Sequence, residues 1–180
     1  MIIKILISCL IIIILITIIL LMFLSSKSRF QIFNIKMKEA DSSIKLFLQK
    51  KAVDLDKIIK EITNKGSDEG KFKNFTKDVD SEKDSYKLHS LLSKYYAFAI
   101  KILFDNDYLA KDKKIIEYLN ELKVNEENLI GSIKFYNDTV VDYNGLLNSF
   151  PHSLFSKVLG YEEKEFYDNE KEELFDILKK

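Results

Sequence analysis

Residues 5–24 form one uninterrupted apolar run, ILISCLIIIILITIILLMFL, that contains no charged side chain. At about 1.5 Å per residue, a helix of this length crosses the roughly 30 Å hydrocarbon core of a bilayer. The rest of the chain is rich in charge, since Asp, Glu, Lys and Arg make up 31% of the 180 residues. The run therefore predicts a transmembrane anchor over residues 1–26, with a soluble domain after it.

Two alternatives to an uncleaved anchor are weaker. A cleaved signal peptide usually has an apolar region of about 7–15 residues, followed by a small-x-small cleavage site. This run is longer, and its only candidate site, Ser26-Lys27-Ser28, has a lysine between the serines. Residues 6–9 (LISC) resemble a bacterial lipobox, but most of the apolar run follows Cys9. We therefore interpret this cysteine as a small apolar residue of a membrane helix.

The charges on either side of the run predict its orientation. Lys4 is the one basic side chain before the run, whereas Lys27, Arg29, Lys36 and Lys38 follow it. Because basic residues are retained on the cytoplasmic side, we predict a single-pass protein of the bacterial cell (inner) membrane. Its N-terminus would lie outside and its C-terminal domain in the cytoplasm. The four basic residues after the run are also candidate contacts for lipid headgroups.

Composition limits the function of the soluble part. The chain has 28 Lys and Arg against 28 Asp and Glu, and it lacks the basic excess expected of a dedicated nucleic-acid-binding protein. One proline and five glycines are too few for many short strands, and they favour a few long helices. A single cysteine cannot form an internal disulfide.

Apolar periodicity predicts an all-α fold: an N-terminal transmembrane helix followed by an antiparallel bundle of three long helices plus a short C-terminal helix. The first soluble helix continues from the anchor without a break, because no glycine or proline lies between residues 1 and 65. The second helix runs from about Val79 to Phe104. The third has a strict apolar heptad over residues 115–147 and ends before Pro151, and the short helix spans residues 153–159.

Two Tyr-Asn pairs lie on the apolar heptad, and their tyrosines occupy two of its positions. Tyr136-Asn137 and Tyr143-Asn144 repeat after seven residues, so they share one side of the third helix. We favour a structural role, in which the pairs make hydrogen bonds between helices and fix the register of the bundle. The alternative is a binding surface for a ligand or a protein.

Glu126 lies on the same stripe as these pairs and completes a candidate polar bundle or interaction face. A carboxylate among apolar residues should pair with a cation, and Lys50 or Lys51 of the first helix is the candidate partner. A perturbed carboxylate can also be catalytic, which leaves a hydrolase-like enzyme using Glu126 and the Tyr-Asn pairs as the weakest alternative. No second carboxylate or histidine is placed to share a proton transfer with it.

Other sequence signals for chemistry are missing. His89 and His152 are isolated and fit no metal-ligand spacing. There is no glycine-rich phosphate loop, no GxSxG turn and no Cys-His arrangement. We therefore predict no catalytic residues, no metal and no cofactor, and a chain that is not an enzyme.

Several segments of the chain together match the sequence pattern of a known family. Residues 135–144 (FYNDTVVDYN), followed by Ser149-Phe150-Pro151, resemble the C-terminal signature of the LemA family. Further similarities are residues 119–122 (LNEL) with Glu126, Gly160-Tyr161, and the first-helix stretches 40–44 (ADSSI) and 48–52 (LQKKA), which resemble AWSxI and LKRRA. The resemblance implies an anchored helical bundle from a family with no established enzymatic activity.

The chain departs from the family pattern in its first helix. Asp41 stands where the family usually has Trp, and Lys45 replaces an Asp. Asp56-Lys57 replaces a Pro-Asn pair, which removes the proline expected to kink the helix there. With these features we divide the chain into the anchor, a LemA-like helical bundle over residues 27–161 and an acidic tail over residues 162–180 that is partly helical or disordered.

The leading hypothesis is a non-enzymatic interaction or scaffolding module attached to the membrane. Its expected partners are membrane lipid, through the anchor, and an unidentified protein, with a homo-oligomer as a further candidate and no nucleic acid. The alternative is an envelope-associated factor that binds anionic lipid at the membrane surface through its basic juxtamembrane helix.

Overall fold

The protein is helical throughout the part that its structure, a computed structural model, describes: residues 2–66 and 69–167. Helices contain 87% of these described residues, and none of them forms a strand. The elements in chain order are α1 (Ile2–Asn64), α2 (Glu69–Phe72), α3 (Phe75–Ser81), α4 (Ser85–Phe104), α5 (Asp107–Ala110), α6 (Lys113–Asn148) and α7 (His152–Leu159). The predicted fold class is confirmed, with α1, α4 and α6 as the three long helices and α7 as the short one.

Helix α1 is continuous over 63 residues and includes both the apolar run and the first soluble helix. The sequence predicts this continuity, because glycine and proline are absent until residue 66. The helix also continues through Asp56 and Lys57, where the family pattern has a proline.

The start of the second long helix differs from its prediction. Residues 79–81 belong to the separate helix α3, and α4 begins only at Ser85. The reason is a cap, because the Asp84 carboxylate accepts a hydrogen bond of 2.9 Å from the backbone N–H of Lys87. An Asp before a serine is a typical N-cap signal, so the boundary was present in the sequence but was missed.

The chain packs as two compact units, and α1 and α6 contribute residues to both. The first unit contains the described residues 2–39 and 136–167. Its core joins α1 to the C-terminal part of α6, with partly buried aromatic rings around the edge. The buried members of this core are Phe30, Met37, Val140, Tyr143, Leu146 and Leu147.

The second unit contains the described residues between 40 and 135. Here α1 packs against α4 and α6, and α6 runs antiparallel to α1, since Lys51 contacts Glu126 and Lys65 contacts Asp112. The apolar stripe predicted for the first soluble helix is buried, including Ala40, Ile44, Leu48, Leu55, Ile58, Ile59 and Ile62.

The C-terminal end of the described chain follows the predicted stop signals. Helix α6 ends at Asn148, shortly before Pro151, and α7 ends at Gly160, which adopts a left-handed conformation with φ of 69°. Only glycine adopts this conformation without strain, so Gly160 is suited to close the helix. Residues 161–166 are not helical, and the rest of the predicted acidic tail, residues 168–180, lies outside the described residues.

Candidate functional site

Glu126 lies at the centre of the one charged cluster that, among the described residues, joins α1, α4 and α6 in the second unit. Its Oε2 is 2.7 Å from the Nζ of Lys51 on α1, and its Oε1 is 3.7 Å from the Nε2 of His89 on α4. Lys51 is almost completely buried, with 4% of its side chain exposed, whereas 34% of the Glu126 side chain reaches solvent. The predicted pairing of Glu126 with Lys50 or Lys51 is therefore made by Lys51.

The neighbours of Glu126 determine its charge. His89 and Lys51 lower the pKa of the carboxyl group to about 2, while partial burial acts in the opposite direction. Lys51 makes the shorter contact, so it is the dominant partner of the carboxylate. At neutral pH Glu126 is ionised and already paired, and an ionised group cannot act as a general acid.

A polar contact next to this cluster was not predicted from the sequence. Asp54 and Asn125 are both buried, and the Asn125 Nδ2 donates a hydrogen bond of 3.0 Å to the Asp54 carboxylate. Lys57 then bridges Asp54 at 3.2 Å and Glu121 at 3.0 Å. These bonds continue the polar contact between α1 and α6 beyond Glu126, and they fix how the two helices are aligned.

The two Tyr-Asn pairs lie in the first unit. Their asparagines bond the backbone of a non-helical segment, whereas the sequence predicted hydrogen bonds between helices. Asn144 binds the backbone of Lys164 twice: its Nδ2 donates to the carbonyl and its Oδ1 accepts from the N–H, both at 2.9 Å. Asn137 accepts a bond of 2.9 Å from the N–H of Tyr167. The amides therefore hold the non-helical segment after Gly160 against α6.

The tyrosines of the same pairs belong to the core of the first unit. Tyr143 is fully buried and its ring packs against Phe30, with centroids 5.6 Å apart. Its hydroxyl has no hydrogen-bond partner among the described residues, and burial raises its pKa, with smaller contributions from Tyr161 and Glu162. Tyr136 packs against the same core from a partly buried position.

Replacing Asn144 with alanine should release the segment that it binds. We expect amide exchange at Lys164 to become at least several-fold faster, because the loss of two hydrogen bonds costs about 1–2 kcal/mol of local stability. Hydrogen exchange read by mass spectrometry measures this. Asn148→Ala is the matched control, since the Asn148 side chain bonds a carbonyl within its own helix. Equal exchange in both variants would contradict this assignment.

The four basic residues after the apolar run are exposed but do not form one patch. At 100° per residue, Arg29 and Lys36 face roughly opposite to Lys27 and Lys38 on α1. Lys36 lies 5.6 Å from the centre of the Phe33 ring, which holds its stem along the helix. The four residues therefore lie on two opposite sides of α1 and do not share one surface.

A groove runs between α1 and α6 on the surface of the second unit, with a volume of about 970 Å³. Four large apolar side chains that line it are each about half exposed to solvent. They are Leu46 and Val53 on α1 and Ile116 and Val124 on α6. Lys50 and Glu117 lie at its edges, and Asp54 and Asn125 at its base.

Metal-ligating groups do not cluster in residues 2–66 and 69–167: no three His, Cys, Asp or Glu side chains are placed to share an ion there. The prediction that both histidines are isolated is wrong: His152 contacts Ser26 with a nitrogen-to-oxygen distance of 2.7 Å, and His89 lies 3.7 Å from Glu126. A histidine is therefore placed beside Glu126, which the sequence did not indicate because the two residues are on different helices.

A protein-family model described as the LemA family matches residues 40–176 of the chain. The match covers most of the chain and begins within α1, after the apolar run. No curated protein sequence matches the chain. Within the described residues, α1 is the one helix long and apolar enough to cross a membrane, and its apolar part could be a membrane span or a signal sequence.

Proposed function

The chain belongs to the LemA family, and from this membership we propose that it is a membrane-anchored interaction protein and not an enzyme. The anchor is the apolar part of α1, which remains uncleaved, and the helical units that follow bind a protein partner. Glu126, Asn137 and Asn144 support this proposal because their polar groups are used to hold helices and a backbone segment together.

The observation that carries the proposal is the apolar groove between α1 and α6. Leu46 and Val53 are seven residues apart, and Ile116 and Val124 are eight apart, so each wall exposes apolar groups two helical turns from one another. A soluble surface rarely keeps four such side chains together without an occupant. Their spacing fits the apolar stripe of one further helix.

We infer that the occupant is an amphipathic helix of a partner protein. Lys50 lies at the groove edge, and no carboxylate among the described residues is within ion-pair distance of it. The partner helix should therefore have apolar residues seven positions apart and an acidic residue beside them that can pair with Lys50.

Photo-crosslinking in intact membranes tests the groove. A benzophenone amino acid at Val124 should form an adduct with one partner, mapped by mass spectrometry to an amphipathic helix. The same probe at Ile130 is the control, because Ile130 is equally exposed on α6 but outside the groove. Ile116→Asp should reduce the Val124 adduct at least several-fold. Adducts of equal yield at both positions, or an adduct between two copies of this chain, would contradict the proposal.

The units after the anchor are proposed to lie in the cytoplasm, on the basis of the basic residues that follow the run. Gly70 is a suitable site for a topology probe, since it is exposed and no atom lies within 4 Å of an added Cβ. In a Cys9→Ser background, Gly70→Cys should react with a membrane-impermeant maleimide only after the cells are lysed. Labelling of intact cells would place the units outside and reverse the proposed topology.

The alternative function, binding of anionic lipid, is favoured by the position of two residues. Lys27 and Arg29 lie about 5–8 Å beyond Leu24 along α1, whereas Lys36 and Lys38 lie about 18–21 Å beyond it. The second pair is farther away than the Debye length of about 8 Å at physiological salt. Lipid binding should therefore depend on Lys27 and Arg29.

Hydrogen exchange of the full chain in nanodiscs separates these contributions. Anionic lipid should slow exchange in the helix after Leu24, relative to neutral lipid, and high salt should remove the difference. The Lys27→Gln/Arg29→Gln variant should lose the effect, and Lys36→Gln/Lys38→Gln should retain it. Identical exchange in neutral and anionic nanodiscs would exclude this function.

A further inference from the structure

Helix α7 in the first unit has one face that packs against α1 and one that faces solvent. Ser156 is buried, and the Phe155 ring packs edge-on against Phe23 of α1, with centroids 5.6 Å apart. Leu154 and Val158 are one turn apart on the opposite face, with 59% and 77% of their surface exposed. Phe150, two residues before the helix, is a third exposed apolar side chain, with 75% of its surface accessible.

The contacts of the inner face place α7 beside the end of the apolar run. Phe23 is the second-last residue of the run, and Ser26 lies two residues beyond its end. The Ser26 hydroxyl donates to the Met22 carbonyl at 2.8 Å, which leaves the Nδ1–H of His152 to donate to the hydroxyl at 2.7 Å. The position of α7 along α1 is therefore fixed at residues 22–26.

We propose that α7 is an interfacial helix, which inserts its outer face, Leu154 and Val158 together with Phe150, into the lipid leaflet that the anchor leaves at Leu24. This inference rests on the proposed anchor. If residues 5–24 span the bilayer, the hydrocarbon core ends near Leu24, and the contacts with Phe23 and Ser26 hold α7 at that depth. An amphipathic helix lying in this plane buries its apolar face at the boundary between headgroups and acyl chains.

The chemistry of α7 fits a lipid surface better than water. The start of α7 lies beside the apolar run, since Leu21 and Met22 line the same small cavity as Pro151 and His152. Helix α7 has no acidic side chain, and its one charged residue, Lys157, is exposed and can reach lipid phosphates. Burial, with the nearby Arg29, lowers the pKa of His152, so the imidazole is neutral at pH 7.

Depth-dependent fluorescence quenching tests this placement in the full chain. In a Cys9→Ser background, single cysteines at Leu154 and Val158 are labelled with an environment-sensitive dye and reconstituted into phosphatidylcholine vesicles. Lipids with a nitroxide near the glycerol backbone quench dyes at the interface, and iodide quenches dyes in water. Val141→Cys is the matched control, because Val141 is an exposed valine of α6 in the same unit, near the level of Tyr143 and Phe30.

Dyes at Leu154 and Val158 should be quenched several-fold more by the lipid nitroxide than a dye at Val141, and they should be protected from iodide. A dye at Ile18, within the run, separates the two proposals. If Ile18 is protected from iodide while Leu154 and Val158 behave like Val141, the anchor is retained and the interfacial helix is overturned. Exposure of Ile18 to iodide would overturn both. Protection of Leu154 and Val158 from iodide and from the nitroxide lipid would indicate a protein occupant and contradict lipid insertion.

Discussion

Glu126→Ala is expected to lower the free energy of unfolding by about 2–4 kcal/mol, because it leaves the ammonium group of Lys51 buried without its counter-ion. Lys51 has 4% of its side chain exposed, and it keeps a long hydrogen bond of 3.5 Å to the Ser93 hydroxyl. The expected loss is below the full cost for a completely buried pair, since the exposed part of Glu126 gives water a route to Lys51. Guanidinium unfolding of the full chain in detergent micelles, followed by circular dichroism, measures it.

Lys51→Met tests the same ion pair by removing its cation instead of its carboxylate. It removes the buried charge and replaces its stem with an apolar side chain of similar length, while Glu126 keeps its contact with solvent and with His89. The expected change is less than about 1 kcal/mol in either direction. If Lys51→Met destabilises the protein as much as Glu126→Ala, the effect comes from the attraction within the pair, and the argument from a stranded charge is wrong.

The contact between Glu126 and Lys51 also makes the free energy of unfolding depend on pH. The pKa of Glu126 is about 2 in the folded protein, below the ordinary glutamate value of 4.5, so the unfolded chain binds the proton more tightly. The stabilisation is complete above pH 4.5 and is lost as the pH falls toward 2. Wild-type protein should therefore lose more stability over this range than Glu126→Gln. Parallel acid titration curves for the two proteins would contradict the assignment.

The parts of the fold that the sequence predicts correctly are those with a signal in neighbouring residues. The continuous helix α1 follows from the absence of glycine and proline before residue 66, and the buried stripe of α6 follows from its heptad. The end of α7 at Gly160 also needs only local information, because a glycine can close a helix with positive φ.

Apart from the start of α4, which the local cap at Asp84 marks, the differences from prediction come from contacts between distant residues. Asp54 and Asn125 are 71 positions apart, and each alone looks like a polar residue on a helix surface. The segment after Gly160 is acidic enough to suggest a helical or disordered tail, but Asn137 and Asn144 bind its backbone from 20 to 30 residues away. A helix there would use the N–H groups that these side chains accept from, so the tertiary bonds replace local ones.

Phe30→Ala is expected to be the most damaging substitution in the first unit, with a loss of about 3–5 kcal/mol in the free energy of unfolding. The ring is completely buried and contacts three others, with centroid distances of 5.6 Å to Tyr143, 4.5 Å to Tyr161 and 6.4 Å to His152. Truncation to alanine leaves a cavity where α6, α7 and the segment after Gly160 meet α1. The same unfolding assay in micelles measures the loss.

Ile32→Ala is the matched control for this prediction, since Ile32 is on the same helix with 49% of its surface exposed, and its loss should stay within about 0.5 kcal/mol. Phe30→Leu keeps most of the volume and should cost clearly less than Phe30→Ala. Because Phe30 also packs against His152 and Tyr161, the alanine variant should speed amide exchange in α7 and at Lys164 together. Exchange that rises at Lys164 alone would mean that α7 is held by Phe23 and Ser26 without help from the core. In that case its position at the end of the apolar run would survive the loss of Phe30.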